Sequence, residues 1–515
     1  MKVLLVYPQY ADTFWSFKHA LMFISKKATF PPLGLLTVAA MLPDNWEKKL
    51  VDMNTMNLND RDLRWADYVF ISAMLVQQSS VGEVINRCKR FGNKIVAGGP
   101  LFASRHEHFD FDDIDYVVMG EAENVLPSLL QDLEKGYTKH IYTSRKRPDI
   151  TKSRVPLWSL IDKRQYQSMS IQYSRGCPLD CEFCEIGMLN GHMPRTKEKA
   201  QILAELETLW SLGWQGMVFF ADDNLIGNKR KLKSEILPTI SEWMEKRKYP
   251  FSLFTQASIN LSDDEELMRL MVEAGFDTVF VGIESPNEES LAECNKLVNK
   301  NRDLLASVKK IQNHGLQVQG GFIVGFDSDP PSIFKSQISF IQESGIVAAM
   351  VGLLHALPGT RLYKRLKKQN RLLPVGSGDN TDGSFNFIPR MGHETLVRGY
   401  KHILSTIYSP KQYYERIKVF VKDYKPTSKR KVNIHPRNLG ILIKTVWFLG
   451  IKEKGRRYYW RLFFSTLLKN PRSLPLFISL AIQGFHFRKV AEKVVGQPMP
   501  CQSYNATFDV PRPSA

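Results

Sequence analysis

The chain contains Arg175-Gly-Cys177-Pro-Leu-Asp-Cys181-Glu-Phe-Cys184, which brings three thiols together on one short loop. Only iron–sulfur clusters and structural zinc commonly need so many soft ligands at such spacing. Structural zinc is closed by four protein ligands, and the other cysteines lie far away in sequence, with His192 the nearest imidazole. A cluster held by three cysteines leaves one iron open for a ligand. We therefore predict a 4Fe-4S cluster on Cys177, Cys181 and Cys184, with zinc as the alternative.

The spacing C-x3-C-x-aromatic-C, with Phe183 as the aromatic residue, resembles the signature of radical S-adenosylmethionine (AdoMet, SAM) enzymes. In that family the open iron binds AdoMet, and one electron from the reduced cluster releases a 5'-deoxyadenosyl radical. The resemblance implies the same cofactors here, with the protein positioning and shielding them. It also implies a reductase or other electron-donor protein as a partner.

Length and composition limit the remaining possibilities. A chain of 515 residues has room for about three domains. Its six cysteines do not suggest a disulfide scaffold, and three of them clustered as metal ligands fit a reducing cytoplasm. The apolar run after Met1 is too short for a signal peptide. We expect a cytoplasmic protein with units at residues 1–145, 160–365 and 366–515.

Residues 1–145 alternate apolar strands with helical segments, which predicts a Rossmann-like, doubly wound parallel sheet. The expected helices are Pro32–Met41, Val81–Phe91 and Glu123–Leu133. The expected strands are Lys2–Tyr7, Lys49–Asp52, Tyr68–Met74, Lys94–Ala97 and Tyr116–Met119. A charged, proline-containing linker should follow from Tyr142 to Pro156.

Ligands of such sheets bind beyond the carboxyl ends of the strands. The segments Phe14-Trp15-Ser16-Phe17, Pro31–Leu36 and Gly98-Gly99-Pro100 resemble the cobalamin-binding domain that precedes many radical AdoMet cores. The Asp-x-His-x-x-Gly sequence that supplies a lower axial histidine is absent, as in radical AdoMet relatives. The alternative is a domain that keeps the fold without a corrinoid, and His19, His106 and His108 are expected to be surface histidines. The resemblance implies cobalamin contacts at Ser72, Met74, Gly98, Gly99, Gly120 and Glu121.

From Ser168 the alternation resumes with a longer period, which predicts a partial (β/α)6 barrel. The cysteine loop follows the first strand, at the end where barrel enzymes keep their chemistry. Expected helices include Lys199–Leu212, Asp264–Ala274 and Arg302–His314. The expected strands are Ser168–Ser174, Gly216–Ala221, Phe251–Ala257, Thr278–Ile283, Gln317–Val324 and Ala348–Leu354.

The resemblance also implies AdoMet contacts at the strand ends. Asp222 lies where relatives hold the amino group, and Glu284 and Ser285 lie in the segment that contacts the ribose and amino acid part. Gly321 and Val324 would lie beside the adenine. The full set implied is Phe183, Asp222, Ser258, Glu284, Ser285, Gly321, Val324 and Pro358.

Four further residues near the expected site have ordinary alternatives. Arg195 and Lys197 could bind an acidic substrate group or the AdoMet carboxylate, but a solvated role is favoured. Tyr173 and His355 stand at strand ends, and core packing is favoured for both.

The net charge of +18 is concentrated in the tail, where residues 425–489 hold fifteen Lys and Arg against one acid, Glu453. Large apolar side chains alternate with these charges. The segment Leu474–Ile482 is too short to span a bilayer, so basic helices lying in the lipid interface are favoured. RNA binding and simple packing of the helices on the barrel are the alternatives. The aliphatic content argues against nucleic acid as a partner.

Tyr408-Ser409-Pro410 and Tyr413-Tyr414-Glu415-Arg416 resemble a helical C-terminal domain of the subfamily that includes the hopanoid C-2 methylases. The resemblance implies a cobalamin-dependent methyltransferase that acts on an unactivated carbon of an apolar, hopanoid- or isoprenoid-type lipid. One alternative is a radical AdoMet cyclase, oxidase or C–C bond-forming enzyme on lipid or tetrapyrrole. A second is a non-catalytic iron–sulfur redox sensor.

Overall fold

The computed structural model describes residues 1–103, 112–373, 378–379, 381–425 and 436–498, and side chains are described for all of these except 436–438. Two parallel sheets of six strands each follow one another along the chain, and helices form the C-terminal part. This confirms the predicted fold class: a Rossmann-like sheet, a partial barrel and a helical C-terminal region. The exact domain boundaries stay predictions.

The first sheet has the strand order β2-β1-β3-β4-β5-β6, and all its neighbours are parallel. Its strands are β1 Lys2–Tyr7, β2 Glu47–Asp52, β3 Tyr68–Ser72, β4 Lys94–Gly98, β5 Tyr116–Met119 and β6 Ile141–Thr143. Its helices are α1 Lys18–Ile24, α2 Leu33–Met41, α3 Asp60–Trp65, α4 Gln78–Arg90, α5 Pro100–Ala103 and α6 Ala122–Lys135.

Both faces of this sheet are buried, since Leu4 and Val6 belong to one apolar cluster and Val3 and Leu5 to another. A strand covered on both faces favours the continuous apolar runs that made these strands predictable. The strand β6 was missed, because two of its three residues fall at the start of the segment Tyr142–Pro156, whose charge and proline indicated a linker. It pairs with β5 at the edge of the sheet.

The second sheet has the order β14-β13-β12-β11-β10-β7 and curves into a partial barrel. The strands of this region are β7 Ser168–Ile171, β8 Ser174–Arg175, β9 Arg195–Thr196, β10 Met217–Phe220, β11 Ser252–Gln256, β12 Phe276–Glu284, β13 Gln317–Val324 and β14 Ala349–Leu353. Its helices are α7 Ile186–Leu189, α8 Lys199–Ser211, α9 Lys229–Lys231, α10 Leu237–Lys246, α11 Glu265–Glu273, α12 Glu288–Glu293, α13 Leu304–Asn313, α14 Ile333–Ser344 and α15 Arg361–Lys368.

Alternate residues of the barrel strands face its lumen. On β13, Gly321 and Ile323 are half-buried, whereas their neighbours Phe322 and Val324 are buried. The first sheet meets the barrel beside β7, where the Tyr166 hydroxyl donates to Asp52 Oδ2 at 2.8 Å and Ala28 forms a parallel bridge with Tyr166. The carboxyl edge of the first sheet therefore adjoins the edge strand of the barrel.

The C-terminal part consists of helices. They are α16 His393–Ile407, α17 Pro410–Asp423, α18 Pro436–Thr445, a π-helix at Val446–Lys452, α19 Arg456–Lys469 and α20 Leu474–Gly496. Among the described residues, no helix is both long and apolar enough to cross a membrane.

The segment Leu474–Ile482 belongs to the 23-residue helix α20, which is much longer than the apolar run suggested. This helix is packed inside the protein: the Tyr413 hydroxyl donates to Leu480 O at 2.7 Å, and Phe487 is buried against Phe14 with ring centroids 5.9 Å apart. Arg488, 6% exposed, pairs with Glu453 at 2.8 Å. For α20 these contacts favour packing on the protein, and a position in the lipid interface gains no support from them.

Candidate active site at the carboxyl ends of the barrel strands

The three cysteines lie on the loop between β8 and α7, at the carboxyl end of the first barrel strand, and all are half-buried. The loop begins at Gly176, whose φ of 98° suits glycine, and a Cβ there would lie 2.7 Å from Met193 O. The Cys177 amide donates to Gly191 O at 3.1 Å. The glycine thus allows the loop to close tightly before the first ligand.

Two aspartates after β10 fasten this loop. Asp222 is 1% exposed, and its carboxylate accepts hydrogen bonds from the backbone amides of Tyr173, at 3.3 Å, and Ser174. Burial raises its pKa to about 7. Asp223 accepts from the Gly176 amide at 2.7 Å and from Asn190 Nδ2 at 2.9 Å. We infer that Asp222 positions the cysteine loop, so the predicted contact with AdoMet gains no support from its placement.

The next strand ends bring polar groups beside the first cysteine. Asn224 Nδ2 donates to Ser258 Oγ at 3.1 Å and lies 3.9 Å from Cys177 Sγ. The Ser258 amide donates back to Asn224 Oδ1 at 3.2 Å. Ser258 therefore lies near the cluster loop, and its contact with AdoMet stays a prediction. Asn224, the last residue of the segment Asp222–Asn224 that follows β10, lies beside the first cysteine as well.

A buried ion pair lies beside the cysteines. Glu284, in a left-handed conformation with φ 64°, accepts from Lys296 Nζ at 2.9 Å, and Ser285 is fully buried next to it. Burial raises the pKa of all three thiols, to about 12 for Cys184, and the Lys296 ammonium opposes this rise. Lys296 was not predicted, because no sequence signal links it to the loop 112 positions away. Its charge fits a site that must hold thiolates.

The donor set fits a cluster held by three cysteines. Among the described residues, no three His, Cys, Asp or Glu side chains are grouped as ligands of a single metal ion. Cys294 lies next to the loop, since its carbonyl accepts from the Glu182 amide at 2.8 Å, but its buried Sγ faces Leu291 O at 3.6 Å. The donors available on this loop are therefore the three cysteine thiols, and an iron–sulfur cluster is held by cysteine sulfur ligands.

An arginine network holds the loop from outside. Arg365 binds both oxygens of Glu182, at 2.8 and 2.9 Å, and also pairs with Glu293 and Asp327, each at 3.0 Å. Arg371 joins Asp327 at 2.6 Å. Because Glu182 lies between two cysteines, the network fixes the loop against α15.

The remaining predicted AdoMet residues divide by position. Phe183 is half-buried near Phe326, with ring centroids 6.2 Å apart, and Gly321 faces the lumen. The absence of a side chain at Gly321 lets the Phe280 ring lie close to β13, since a Cβ there would be 2.9 Å from that ring. Pro358 and Val324 are buried, and Val324 faces away from the lumen. Val324 can reach a cofactor only through its backbone.

A cavity of about 310 Å³ lies at the carboxyl edge of the first sheet. Five of the six predicted cobalamin residues line it: Ser72, Gly98, Gly99, Gly120 and Glu121. Met74 does not line it. Gln172, Arg175 and Asn190 close the cavity from the cysteine-loop side. Gly120 has φ 102°, and a Cβ there would point into open space. Without that side chain, a bulky planar ligand can lie close to the backbone at this edge of the sheet.

The preferred solvated role of Arg195 was wrong, because the half-buried side chain is held in ion pairs. Its guanidinium binds both oxygens of Glu121, at 2.8 and 3.0 Å, and Arg175 binds Glu121 at 3.0 Å and Glu123 at 2.8 Å. Burial raises the pKa of Glu123, but Arg175 outweighs it and holds the value at about 2. These ion pairs join the first sheet to the cluster loop.

The solvated role of Lys197 was also wrong, since Lys197 is 4% exposed and pairs with Glu205, which is 1% exposed. Core packing is correct for Tyr173, which is fully buried. His355 is half-buried beyond β14, and its Nδ1 lies 3.0 Å from Leu353 O.

The segment Phe14–Phe17 is not at the cobalamin edge. Phe14 and Phe17 pack against Phe487 of α20, and the Trp15 ring lies 4.7 Å from that of Phe280 on β12. This part of the cobalamin resemblance therefore marks a contact with the barrel and the C-terminal helices. His19 is half-buried beside His486, whereas His106 and His108 lie outside the described residues.

A cysteine loop at the mouth of a partial barrel, joined to a Rossmann-like sheet with an open carboxyl edge, defines a radical AdoMet enzyme with a cobalamin-binding domain. Family models agree: residues 21–130 match the B12 binding domain, 171–336 the radical SAM superfamily, and 360–498 a domain of unknown function, DUF4070.

Two curated relatives extend over almost the whole chain. An uncharacterized methyltransferase from Synechocystis is 39% identical over 97% of this chain and 94% of its own length. The hopanoid C-2 methylase from Rhodopseudomonas palustris is 32% identical over 91% of this chain and 90% of its own. The chain belongs to the family of cobalamin-dependent radical AdoMet methyltransferases that includes this methylase. Its cofactors are a 4Fe-4S cluster, AdoMet and cobalamin.

Solved structures share the fold. The radical AdoMet enzyme OxsB, with cobalamin and AdoMet bound, has a TM-score of 0.62 and 14% identity over 96% of this chain and 80% of its own. The methyltransferase TsrM from Kitasatospora setae has a TM-score of 0.58 and 16% identity over 73% and 79%.

Proposed function

We propose that this methyltransferase acts on an unactivated carbon of an apolar, hopanoid- or isoprenoid-type lipid. The observation that carries the proposal is the aromatic interior of the barrel. Phe219 and Phe254 stack at 4.5 Å, Phe30 lies 5.1 Å from Phe219, and Trp15 lies against Phe280. These half-exposed rings line the lumen below the cluster loop, and apolar walls of this kind select apolar ligands. The relative named hopanoid C-2 methylase supports the same substrate class.

The residues of this chain would position the cofactors and shield the reaction from water. The cluster would be held by Cys177, Cys181 and Cys184, with Lys296 beside them, and the cobalamin by the glycine-lined edge of the first sheet. When bound, the reduced cluster and AdoMet supply the hydrogen-abstracting radical, and cobalamin supplies the methyl group. The ion pairs of Arg175 and Arg195 would keep both halves aligned, and the aromatic lumen would exclude water. An electron-donor protein is the expected partner.

Anaerobic protein reconstituted with iron, sulfide and cobalamin tests the function. We expect AdoMet with a deuterated methyl group to yield a labelled lipid from hopanoid-containing membrane extract, together with S-adenosylhomocysteine and 5'-deoxyadenosine. Formation of 5'-deoxyadenosine without labelled lipid would favour a cyclase or oxidase. Absence of any AdoMet cleavage would favour the redox sensor.

A single substitution tests the assignment of the cobalamin site. We expect Gly120→Val to lower cobalamin uptake at least about 10-fold, because the branched side chain would enter the space a corrinoid needs and β-branched residues resist positive φ. Gly136→Val is the matched control: Gly136 also has positive φ, at 73°, and open space around it, but lies at the end of α6 away from the cavity. Corrinoid and iron content measure the outcome. Equal corrinoid loss in both variants would contradict the assignment.

We further propose that the C-terminal part contacts an anionic membrane surface through α18 and the π-helix. Leu439, Ile443, Trp447 and Ile451 recur every four residues and are 49–61% exposed. The exposed cations Lys452, Arg456, Arg457 and Arg461 lie along the same part of the chain. Exposed apolar side chains flanked by basic ones suit the lipid interface, and each nearby cation adds about 1 kcal/mol.

Replacing Trp447 and Ile451 together by glutamate should weaken binding to phosphatidylglycerol-containing vesicles about 100-fold or more. Each buried apolar side chain contributes roughly 1.5–3 kcal/mol, and added carboxylates repel anionic lipid. Trp210→Glu, on the barrel helix α8 and 42% exposed, is the control that should bind normally. Vesicle co-sedimentation measures both. Normal binding by the double variant would discard the proposed surface.

A further inference from the structure

A second cavity, of about 270 Å³, lies at the opposite end of the barrel from the cluster. Its floor is formed by the first residues of successive strands, including Ser168, Met217, Ser252 and Gln317. Helix α1 and one face of α20 close it from outside. None of the residues placed at the cluster loop or the cobalamin edge lines it.

Three glutamines that line this cavity each have a buried side-chain atom without a hydrogen-bond partner within the described residues. These atoms are Gln317 Nε2, Gln167 Oε1 and Gln483 Oε1, from β13, the segment before β7, and α20. Gln317 is only 8% exposed. A buried polar group left unpaired costs about 1–3 kcal/mol, so such a trio favours a ligand that satisfies it. The amide donor of one glutamine and the carbonyl acceptors of the other two offer both kinds of partner that a hydroxyl group needs, because a hydroxyl both donates and accepts.

The rest of the lining is mixed. Asp277, which accepts a hydrogen bond from the Thr278 hydroxyl at 2.9 Å, and the polar Thr29, Gln319 and Ser479 contribute to it beside apolar side chains. Phe17, Ile24 and Ile482 form its walls, and Trp15, Phe30 and Phe254 form the side nearest the lumen. Beyond these rings the half-buried Phe280, Gly321 and Ile323 continue toward the cluster end. The eight residues of β13 span about 25 Å between the two ends.

Resting on the proposed lipid methylation, we propose that this cavity binds the hydroxyl-bearing end of the substrate, whose apolar body lies along the aromatic lumen. The substrate is then an amphiphilic lipid, and the methylated carbon lies at the end remote from its hydroxyl. The exposed apolar face proposed for membrane contact adjoins α1, because Lys444 Nζ donates to Met22 O at 3.0 Å and to Ser25 Oγ at 2.9 Å. The amino-terminal end of the barrel, which α1 covers, is therefore the end nearest the proposed membrane contact.

A matched pair of probes tests this site: a pentacyclic triterpene hydrocarbon and its mono-hydroxylated counterpart, in the same detergent, with the reconstituted enzyme. We expect the wild type to bind the alcohol about 5–30-fold more tightly, which corresponds to one or two hydrogen bonds. Gln317→Leu should reduce this preference to about 2-fold or less, and Gln483→Leu, in a different element, should reduce it as well. Position-resolved mass spectrometry should find the methyl group at the end away from the hydroxyl.

Gln312→Leu is the control, because both amide atoms of Gln312 are also buried without partners but lie on α13 outside the cavity. It should keep the full preference. Equal binding of both probes by the wild type, or an unchanged preference in both cavity variants, would overturn the inference. Water would then be the partner of the glutamine side chains. Methylation next to the hydroxyl would also overturn it. Absence of methylation of either probe by the wild type would instead overturn the proposed function.

Discussion

Replacing Cys184 by serine should abolish AdoMet cleavage. The half-buried Cys184 lies on the loop that Gly176, Asp223 and Arg365 hold in place, so the loop should fold without the thiol while the cluster loses a ligand. Loss of an outer partner of a metal ligand costs roughly 10–100-fold, and loss of the ligand itself should exceed that. The rate of 5'-deoxyadenosine formation should fall by about three orders of magnitude or more. Iron content and the visible spectrum of anaerobic protein should fall with it.

Cys294→Ser provides the control for this variant. Cys294 is buried next to the same loop, but its Sγ faces a backbone carbonyl, so it should not hold iron. We expect normal iron content and cleavage within about 2-fold, since serine can keep that hydrogen bond. Full activity in Cys184→Ser would contradict the assigned ligands. Loss of metal from both variants, with zinc in the wild type, would indicate a closed four-cysteine site.

The sequence predicted the parts of the fold that depend on local pattern. Buried parallel strands require apolar runs, so β1 and β5 begin and end as predicted. The barrel strand β13, with one face toward the lumen, also has the predicted bounds. The cysteine spacing is equally local, and it indicated both the cluster and the strand end that carries it. The short edge strand β6 lacks such a run, because edge pairing does not require burial of both faces.

The sequence could not predict which charges meet. Arg195 pairs with Glu121, 74 positions away, only because the carboxyl edge of the first sheet adjoins the barrel. Lys296 reaches the cysteines through an equally distant contact, and no periodic pattern encodes such a contact. A lysine near an active-site motif is usually solvated, so Lys197 was assigned to the surface. Its burial depends on how α8 packs against β7, which is a tertiary property.

The sequence also could not predict which apolar residues of the tail are buried. Both α19 and α20 combine basic residues with large apolar ones, and composition alone does not show which helix is buried. Packing does: Phe477 and Leu480 of α20 are buried, whereas Phe464 and Leu468 of α19 are 51% and 82% exposed. A membrane surface therefore remains a proposal for α18 and the π-helix, with the exposed cations of α19 beside them, and not for α20.

Replacing Lys197 by methionine should destabilise the protein by about 3–5 kcal/mol at pH 7. The substitution leaves the carboxylate of Glu205, 1% exposed, without its partner, and an unpaired buried charge is far more costly than the loss of both charges. The double variant Lys197→Met with Glu205→Leu should recover most of this loss. Urea unfolding of the anaerobic protein measures all three. Lys199→Met, an exposed lysine two residues away, should stay within about 0.5 kcal/mol of the wild type.

The pH dependence separates this effect from lost packing. Burial raises the pKa of Glu205, and Lys197 lowers it, so removing the ammonium leaves burial unopposed. The folded single variant then binds a proton at a pH where the unfolded chain, with an ordinary pKa of about 4.3, has released it. A folded pKa above the unfolded one gives stability that is lost as pH rises through the folded value. The stability of Lys197→Met relative to the double variant should therefore increase from pH 8 to pH 5. A constant difference across this range would show that the carboxylate of Glu205 does not depend on Lys197.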